Sequence, residues 1–591
     1  MSSEDRFILR ISSMISNRKL IEISVVILLY AISYLTLVYP YTKYYIWGSD
    51  TGEYYWILKY LSENHCMPKE FYGWALVYHY MYGFFSTLSP LVQLGIDCLD
   101  VIKYFTPALV ALSSVLMYIL VRHLTKDVIS SCFATLVYSI ALPRVFAVSH
   151  PMPGSIGDLL LITAYFLILL SYENEKIVPL LLFLSSLPMT ITHHLTHSIF
   201  IASTGILTIL HRLYGKDEKF RIDLMVFTAS YFSFVFYWLN VPEFEQIIID
   251  AVGLRKSEMI TLSIIGYAAF IMIVLAFPMK PLREPLRIPP RNIDILKVLA
   301  IYSITVSLVF FISVKFFVPG TNIKISKETI LYVTPTLAIG FLAYPGWLIL
   351  KSRRKYLEVL SWLIAIAAFA FYGIITKSTV FISYRYAQYI WTPTSILIGV
   401  GVNYSISTIA KYIKISKIKE NIVKVILTVT ATLIITTSLI ITAYPSQDVL
   451  GGFEEGSTLE TFVGIMWISV NLPKNITIAA DHRISDLIFG FCGINATWDA
   501  GSVILLSEDP NETVDLMKFF ETPSGYKRID YIAFDRNTIK GVAGVQWENA
   551  RPMSEKALEK FNSKYFKRVY ANGYFYVYKV LWENIYSESG G

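Results

Sequence analysis

The sequence predicts an α-helical polytopic membrane protein of about thirteen transmembrane helices with a C-terminal extracytoplasmic α/β domain. Three observations predict it. Hydrophobic residues make up 54% and charged residues 16% of the 591-residue chain, against roughly one quarter charged in a soluble domain. Long apolar runs recur from Leu20 to Tyr444, and lysine and arginine gather on alternate loops between them. Beyond Tyr444 polar turns separate short β-like runs.

A membrane-crossing helix needs about 17 to 25 mostly apolar residues. Runs of that kind lie at Leu20–Tyr39, Val101–Val121, Val128–Ala147, Ile156–Leu170, Ile177–Thr192, Leu195–Leu210, Ile222–Leu239, Met259–Ala276, Val298–Phe317, Ile330–Leu350, Val359–Ile375, Ile390–Ile409 and Ile422–Tyr444. Cytoplasmic loops retain positive charge. The threading puts Arg122 and Lys126, then Arg212, Lys216, Lys219 and Arg221, then Lys280, Arg283, Arg287 and Arg291 on one side. Lys351, Arg353, Arg354 and Lys355, followed by Lys411, Lys414, Lys417 and Lys419, fall on the same side. The polar, basic start "MSSEDRFILRISSMISNRKL" reads as cytoplasmic, ahead of a retained first helix rather than a cleaved signal. An odd number of spans leaves residues 445–591 outside, and residues 1–444 form the membrane domain. Phe71–Leu91, rich in Tyr, Trp and His, reads as an amphipathic interfacial helix in the first outer loop.

In the last 145 or so residues, a length that suffices for a core of its own, "ITIAA", "RIDYIAF" and "KRVYANGYFYVYKV" read as strands. Sequons at Asn475, Asn495 and Asn511 agree with an extracytoplasmic face. The net charge of +7 is absorbed by the basic loops, so no nucleic-acid partner is implied. The four cysteines, Cys66, Cys98, Cys132 and Cys492, have no metal-ligand spacing and read as free thiols.

The chemistry-bearing residues gather at the outer ends of the spans. Asp50 and Glu53, in "WGSDTGEYYWILKYL", start a loop of roughly sixty residues, a length that is usually functional. A carboxylate here can act as general base on an acceptor hydroxyl or hold a divalent metal against a phosphate; equally, both acids can be solvated residues that follow a span. Asp158, which ends "SHPMPGSIGD", is a candidate metal ligand with Asp50 or a donor-phosphate contact, or else a helix N-terminal acid favoured by the macrodipole. Arg144 and His150 occupy the turn before it and are candidate donor or acceptor contacts. "THHLTHS" places His193, His194 and His197 at another outer turn. His193 and His197 have metal-pair spacing but lack the glutamate of H-E-x-x-H, so hydrogen bonding or an anionic headgroup explains them better. In "ISYRYAQYIWTPTSILIG", Arg385 sits beside Tyr384. Guanidinium matches phosphate oxygens bidentately, and the alternative is an interfacial belt with one snorkelling arginine.

A first span, then "SDTGEYYWILKYLSENHCMPKEFYG", then an aromatic stretch and a span ending in basic residues resembles the GT-C superfamily of membrane glycosyltransferases, in the style of protein O-mannosyltransferases and aminoarabinose transferases. The resemblance implies an acid motif in the first outer loop, here Asp50 and Glu53. It also implies a sugar donor on a polyprenyl phosphate or pyrophosphate, used on the outer face of the cell membrane. The layout is similar, too, to the catalytic subunit of oligosaccharyltransferase. "RVFAVSHPMPGSIGD" loosely matches its second acid motif, and "KISKE", ending at Glu328, faintly matches a later one. Its W-W-D-Y-G signature is not present. "TWDAG", with Trp498 and Asp499, shares only W-D-x-G.

The expected activity is transfer of a sugar from a lipid-phosphate donor to an external protein, lipid or polysaccharide acceptor. Asp50 and Glu53 would be the catalytic acids, Mg or Mn a divalent cofactor, and Arg385 the counter-charge to the departing phosphate. The alternatives are an oligosaccharyltransferase-like transfer to Asn, or a transporter, flippase or scaffold. Transporters tend to carry ionisable groups near the midplane and inverted repeats. Here the acids gather at the edge and no repeat is visible.

Overall fold

The computed structural model describes residues 3–589 except 74, 277–291, 319–322, 353–355, 378–382, 414–416, 523 and 543–549. Each of these apolar runs is mainly helical in its described part. Eight helical segments are long and apolar enough to cross a membrane: Lys19–Thr42, Cys98–Thr125, Pro153–Ser171, Glu175–Thr192, Lys256–Ala276, Lys327–Ser352, Leu357–Thr376 and Glu420–Ile441. A ninth is a broken pair, Val128–Ile140 and Leu142–Ser149, bent by 54°. Pro143 at the start of its second half has no N–H to continue the ladder. The remaining expected spans form the helices His194–Leu213, Asp217–Trp238, Asn292–Lys315 and Ala387–Tyr412. The chain is a multi-pass membrane protein.

Shape complementarity holds the bundle. Tyr165 and Trp362 stack face to face with ring centroids 3.8 Å apart, inside a core that runs from Met117 to Val400. The helices at the far side, among them Lys256–Ala276 and Glu420–Ile441, expose most of their apolar surface, as lipid-facing helices do.

One expectation is corrected. Phe71–Leu91 is not one helix. Among its described residues, Tyr78–Tyr80 makes a 3-10 turn before the α-helix Tyr82–Gln93. That helix buries Phe84, Phe85 and Leu88 with Tyr54, Ile57 and Leu58 of the helix Thr51–Asn64, so its apolar content is spent on protein packing. Gly73 sits close against the acid: a Cβ there would lie 2.0 Å from Glu53 Oε1, so that side chain would have to move.

Nine strands occur among the described residues: β1 (Ile46–Trp47), β2 (Gly456–Ser457), β3 (Thr477–Ala479), β4 (Asn495–Ala496), β5 (Phe520–Thr522), β6 (Gly525–Lys527), β7 (Tyr531–Asp535), β8 (Phe566–Ala571) and β9 (Phe575–Val580). Five build one mixed sheet in the order β4-β3-β7-β9-β8, with β3 parallel to β4 and β7, and β9 antiparallel to β7 and β8. The three expected runs supply β3, β7 and the β8–β9 hairpin. In its turn Asn572 Oδ1 accepts the N–H groups of Tyr574 and Phe575, and Gly573 takes a positive φ of 85°.

The sheet region is sewn to the bundle. β1 pairs antiparallel with β2, Ile46 with Ser457 and Trp47 with Gly456. Gly52 and Gly490 let two backbones meet: a Cβ on Gly490 would lie 2.2 Å from the Gly52 carbonyl oxygen. Ile46 and Leu99 share a core with Ile465, Ile468 and Ile488.

Candidate functional site

Asp50 is the N-cap residue of the helix Thr51–Asn64, yet its side chain makes no capping hydrogen bond. Asp486 takes that task from the sheet region. Its two carboxylate oxygens accept the N–H groups of Gly52 and Glu53, the groups that a helix start leaves unpaired. Asp50 is thereby released to face elsewhere. Oδ1 receives Nε2 of His482 at 2.8 Å, and Oδ2 receives the Tyr78 hydroxyl at 2.7 Å. The other imidazole nitrogen, Nδ1 of His482, lies 2.8 Å from Asp499 Oδ1. An acid–imidazole–acid row therefore crosses from the bundle to the sheet region.

The electrostatics of the row are self-consistent. Burial disfavours a charged His482, but Asp499 and Asp50 outweigh it and hold its pKa well above the usual imidazole range. Burial pushes the Asp50 pKa upward, while His482 and the Tyr78 hydroxyl more than offset this and leave it lowered. Asp486, buried and repelled by the Asp50 charge, sits well above the carboxylate range. The His482 imidazolium thus stands between the Asp50 and Asp499 carboxylates, with the hard-to-ionise carboxyl of Asp486 beside them.

Glu53 is buried and points to the Phe71–Gly73 loop. His150 stacks on Trp47, 5.1 Å between centroids, its Nε2 3.7 Å from Glu455, and it adds to the lowering of the Asp50 pKa.

Arg144 and Asp158 are placed otherwise. Arg144 is fully buried, with Nη2 2.8 Å from Asp158 Oδ2 and 2.6 Å from Ser113 Oγ. The Tyr138 hydroxyl donates to the same Asp158 oxygen at 2.6 Å. The two residues satisfy each other inside the bundle, as unlike charges in an apolar surrounding must, so the metal-ligand role expected of Asp158 and the phosphate role expected of Arg144 have no support in this geometry. Among the described residues no group of three or more His, Cys, Asp or Glu is placed to hold a metal ion. The expected Mg or Mn would have Asp50 alone of its two expected ligands, so a donor phosphate would have to complete its oxygen shell.

A second polar cluster lies at the start of the helix His194–Leu213. His193 is its N-cap, with Nδ1 2.8 Å from Thr196 Oγ1, which in turn meets the Tyr389 hydroxyl at 2.9 Å. His194 lies against Trp238 and Phe244. Arg385, exposed in the turn Ser383–Tyr386, is within electrostatic reach of both histidines. His197 is instead fully buried beside Thr190 and Phe234, away from a ligand role. The Tyr384 side chain lies outside the described ones. Glu328 is exposed in the first turn of the helix Lys327–Gly340. The four cysteines are free thiols, Cys66 exposed and Cys98 buried.

Sequence reasoning missed His482, Asp486 and Tyr78. "TWDAG" shows Trp498 and Asp499, but not their place beside His482. The one local signal was the polar run "DHRISD" directly after the β-like "ITIAA".

No protein-family model matches the sequence, and no curated protein matches it. Solved structures do match. The oligosaccharyltransferase of Archaeoglobus fulgidus in its apo form superposes with a TM-score of 0.57 at 12% identity, over 88% of this chain and 70% of that one. The oligosaccharyltransferase AglB of the same organism, in complex with an inhibitory peptide and a dolichol-phosphate, gives 0.55 at 12% identity, over 96% and 75%. ArnT of Cupriavidus metallidurans bound to undecaprenyl phosphate gives 0.44 at 10% identity, over 95% and 98%. The chain has the GT-C fold expected from its acid loop and span layout.

Proposed function

We propose that the protein is a membrane glycosyltransferase that moves a sugar from a polyprenyl-phosphate-linked donor to an acceptor on the outer face of the membrane. In this reading residues 1–444 are the membrane domain, with a cytoplasmic N-terminus, and residues 445–591 the extracytoplasmic one. The observation that carries the reading is the placement of Asp50. It is ionised, held between His482 and Tyr78 and freed from capping its own helix, in a chain with the GT-C fold.

Asp50 aligns the acceptor by accepting a hydrogen bond from its nucleophilic group. As that group bonds to the anomeric carbon, the carbon–phosphate oxygen bond breaks on the opposite face and the lipid phosphate leaves with the electron pair. The proton goes to the Asp50 carboxylate. His482 keeps Asp50 charged and oriented until then, and Asp499 fixes the imidazole. Arg385, with His193 and His194 behind it, offers the leaving phosphate a cation.

The test is transfer from a panel of polyprenyl-phosphate and polyprenyl-pyrophosphate sugars by the purified protein, with and without divalent metal. Activity is expected in the native protein and lost in Asp50→Asn, with donor binding retained. Equal turnover by both would remove Asp50 from the reaction.

A second reading is transfer of a lipid-linked glycan to Asn. The superposition on two archaeal oligosaccharyltransferase structures over most of the chain favours it. Glycosylation of a sequon-containing peptide separates it from transfer to lipid or polysaccharide alone.

A further inference from the structure

The helix Leu459–Asn471, which leads into β3, has two apolar faces where a surface helix of an α/β region needs one. Thr461, Gly464, Ile465 and Ile468 are buried. On the opposite side Leu459, Val463, Met466 and Val470 follow one another at i, i+4, i+7 and i+11. They are 53%, 48%, 39% and 79% exposed. At 3.6 residues per turn these four side chains form one straight stripe, and no lysine or arginine interrupts the helix.

Its position in the fold says what meets it. Ile465 and Ile468 share a core with Leu99, the second residue of the candidate span Cys98–Thr125. Phe462, on one edge of the stripe, packs on Tyr45 with ring centroids 4.7 Å apart. Tyr45 lies just past the candidate span Lys19–Thr42, and the Lys103 ammonium, inside the neighbouring span, sits 4.2 Å over its ring. The helix is therefore anchored where two membrane-crossing segments end. The same end of Cys98–Thr125 exposes Tyr104 and Phe105 beside it. Aromatic residues at span ends mark the headgroup zone.

We propose that the helix Leu459–Asn471 is an interfacial anchor whose Leu459–Val463–Met466–Val470 stripe lies in the outer lipid leaflet at the headgroup–acyl boundary. A helix with a continuous apolar face buries it some 5–10 Å into that boundary. The consequence is positional: the sheet region, which holds His482, Asp486 and Asp499, is tied to the bilayer as well as to the bundle. This inference rests on the reading of the two helices as membrane spans and is independent of the chemistry proposed for Asp50.

The test uses the full chain in phosphatidylcholine nanodiscs. Single cysteines replace Val463, Val470 or, as an exposed control in another helix of the sheet region, Lys518, all in a Cys66→Ser background, and each carries an environment-sensitive NBD fluorophore. Blue-shifted emission at 463 and 470 that is quenched by brominated phospholipid, with 518 quenched only by aqueous iodide, is expected. Iodide quenching at 463 and 470 equal to that at 518 would overturn the proposal. Blue-shifted emission that bromolipid leaves intact would overturn it too, and would point to a second copy or a protein partner on the stripe. Sugar transfer is not part of the readout, so a failure here leaves the proposed function untouched.

Discussion

Replacing His482 by alanine removes the one cation between Asp50 and Asp499. The two carboxylates then face each other across the seam with no counter-charge. Breaking a fully buried pair costs about 3–5 kcal/mol. The Asp50 and Asp499 side chains keep 22% and 14% of their exposure, so solvent screening brings the expected loss to about 2–3 kcal/mol. The pH dependence gives the assay its direction. The His482 pKa is raised on folding, so its contribution is complete below the ordinary imidazole pKa and fades as pH rises through the higher folded value. The Asp50 pKa is lowered, so its contribution is complete above the ordinary carboxylate pKa and fades only as pH falls through the lower folded value. Thermal unfolding of detergent-solubilised protein at a series of pH values should therefore show His482→Ala less stable than the native protein near neutrality. The gap should narrow at alkaline pH, and Asp499→Asn made in the alanine background should recover part of it. A gap of the same size at alkaline pH, or no recovery by Asp499→Asn, would refute an ion-paired row.

Other expected outcomes follow from the same geometry. Asp486→Ala strips two N–H groups at the start of the helix Thr51–Asn64 of their acceptors and should cost about 1–3 kcal/mol; hydrogen exchange should rise at Gly52 and Glu53 while β7 and β9 stay protected. Gly490→Ala drives a methyl group into the Gly52 carbonyl and should cost about 1–3 kcal/mol, whereas Gly493→Asn, in open space at a φ of 62° that Asn tolerates, should leave thermal stability nearly unchanged. Arg144→Met takes the counter-charge from Asp158 and leaves it only the Tyr138 hydroxyl in the bundle, at about 3–5 kcal/mol; the yield of monodisperse protein should collapse and recover in Arg144→Met/Asp158→Leu.

The helices and strands were legible because their signals are local. Apolar length placed the long helices of the bundle, and β-branched and aromatic runs placed β3, β7 and the β8–β9 hairpin. Phe71–Leu91 misled because aromatic residues suit a headgroup zone and a protein core equally, and only the packing of Phe84 and Phe85 on Tyr54 decides between them. Asp50 was legible as a chemically exposed acid after a span. Its partners were not, because His482 lies 432 residues away and carries no motif. Asp158 looked like a ligand for the same reason in reverse: nothing in the spacing from Arg144 reveals that the broken span folds the guanidinium back onto it.

The reach of that seam also bears on how the protein is made. Asp50 is synthesised 432 residues before His482, an interval of roughly 20–90 s at typical translation rates. Throughout it, the helix Thr51–Asn64 has neither the carboxylate that caps it nor the imidazolium that charges its acid. The site is assembled only when the last stretch through residue 499 has folded against the first. A ribosome that stalls or a chain cut short in the bundle leaves a product whose acid has never met its partners, so the order of synthesis itself makes the charged row the last part of the seam to form.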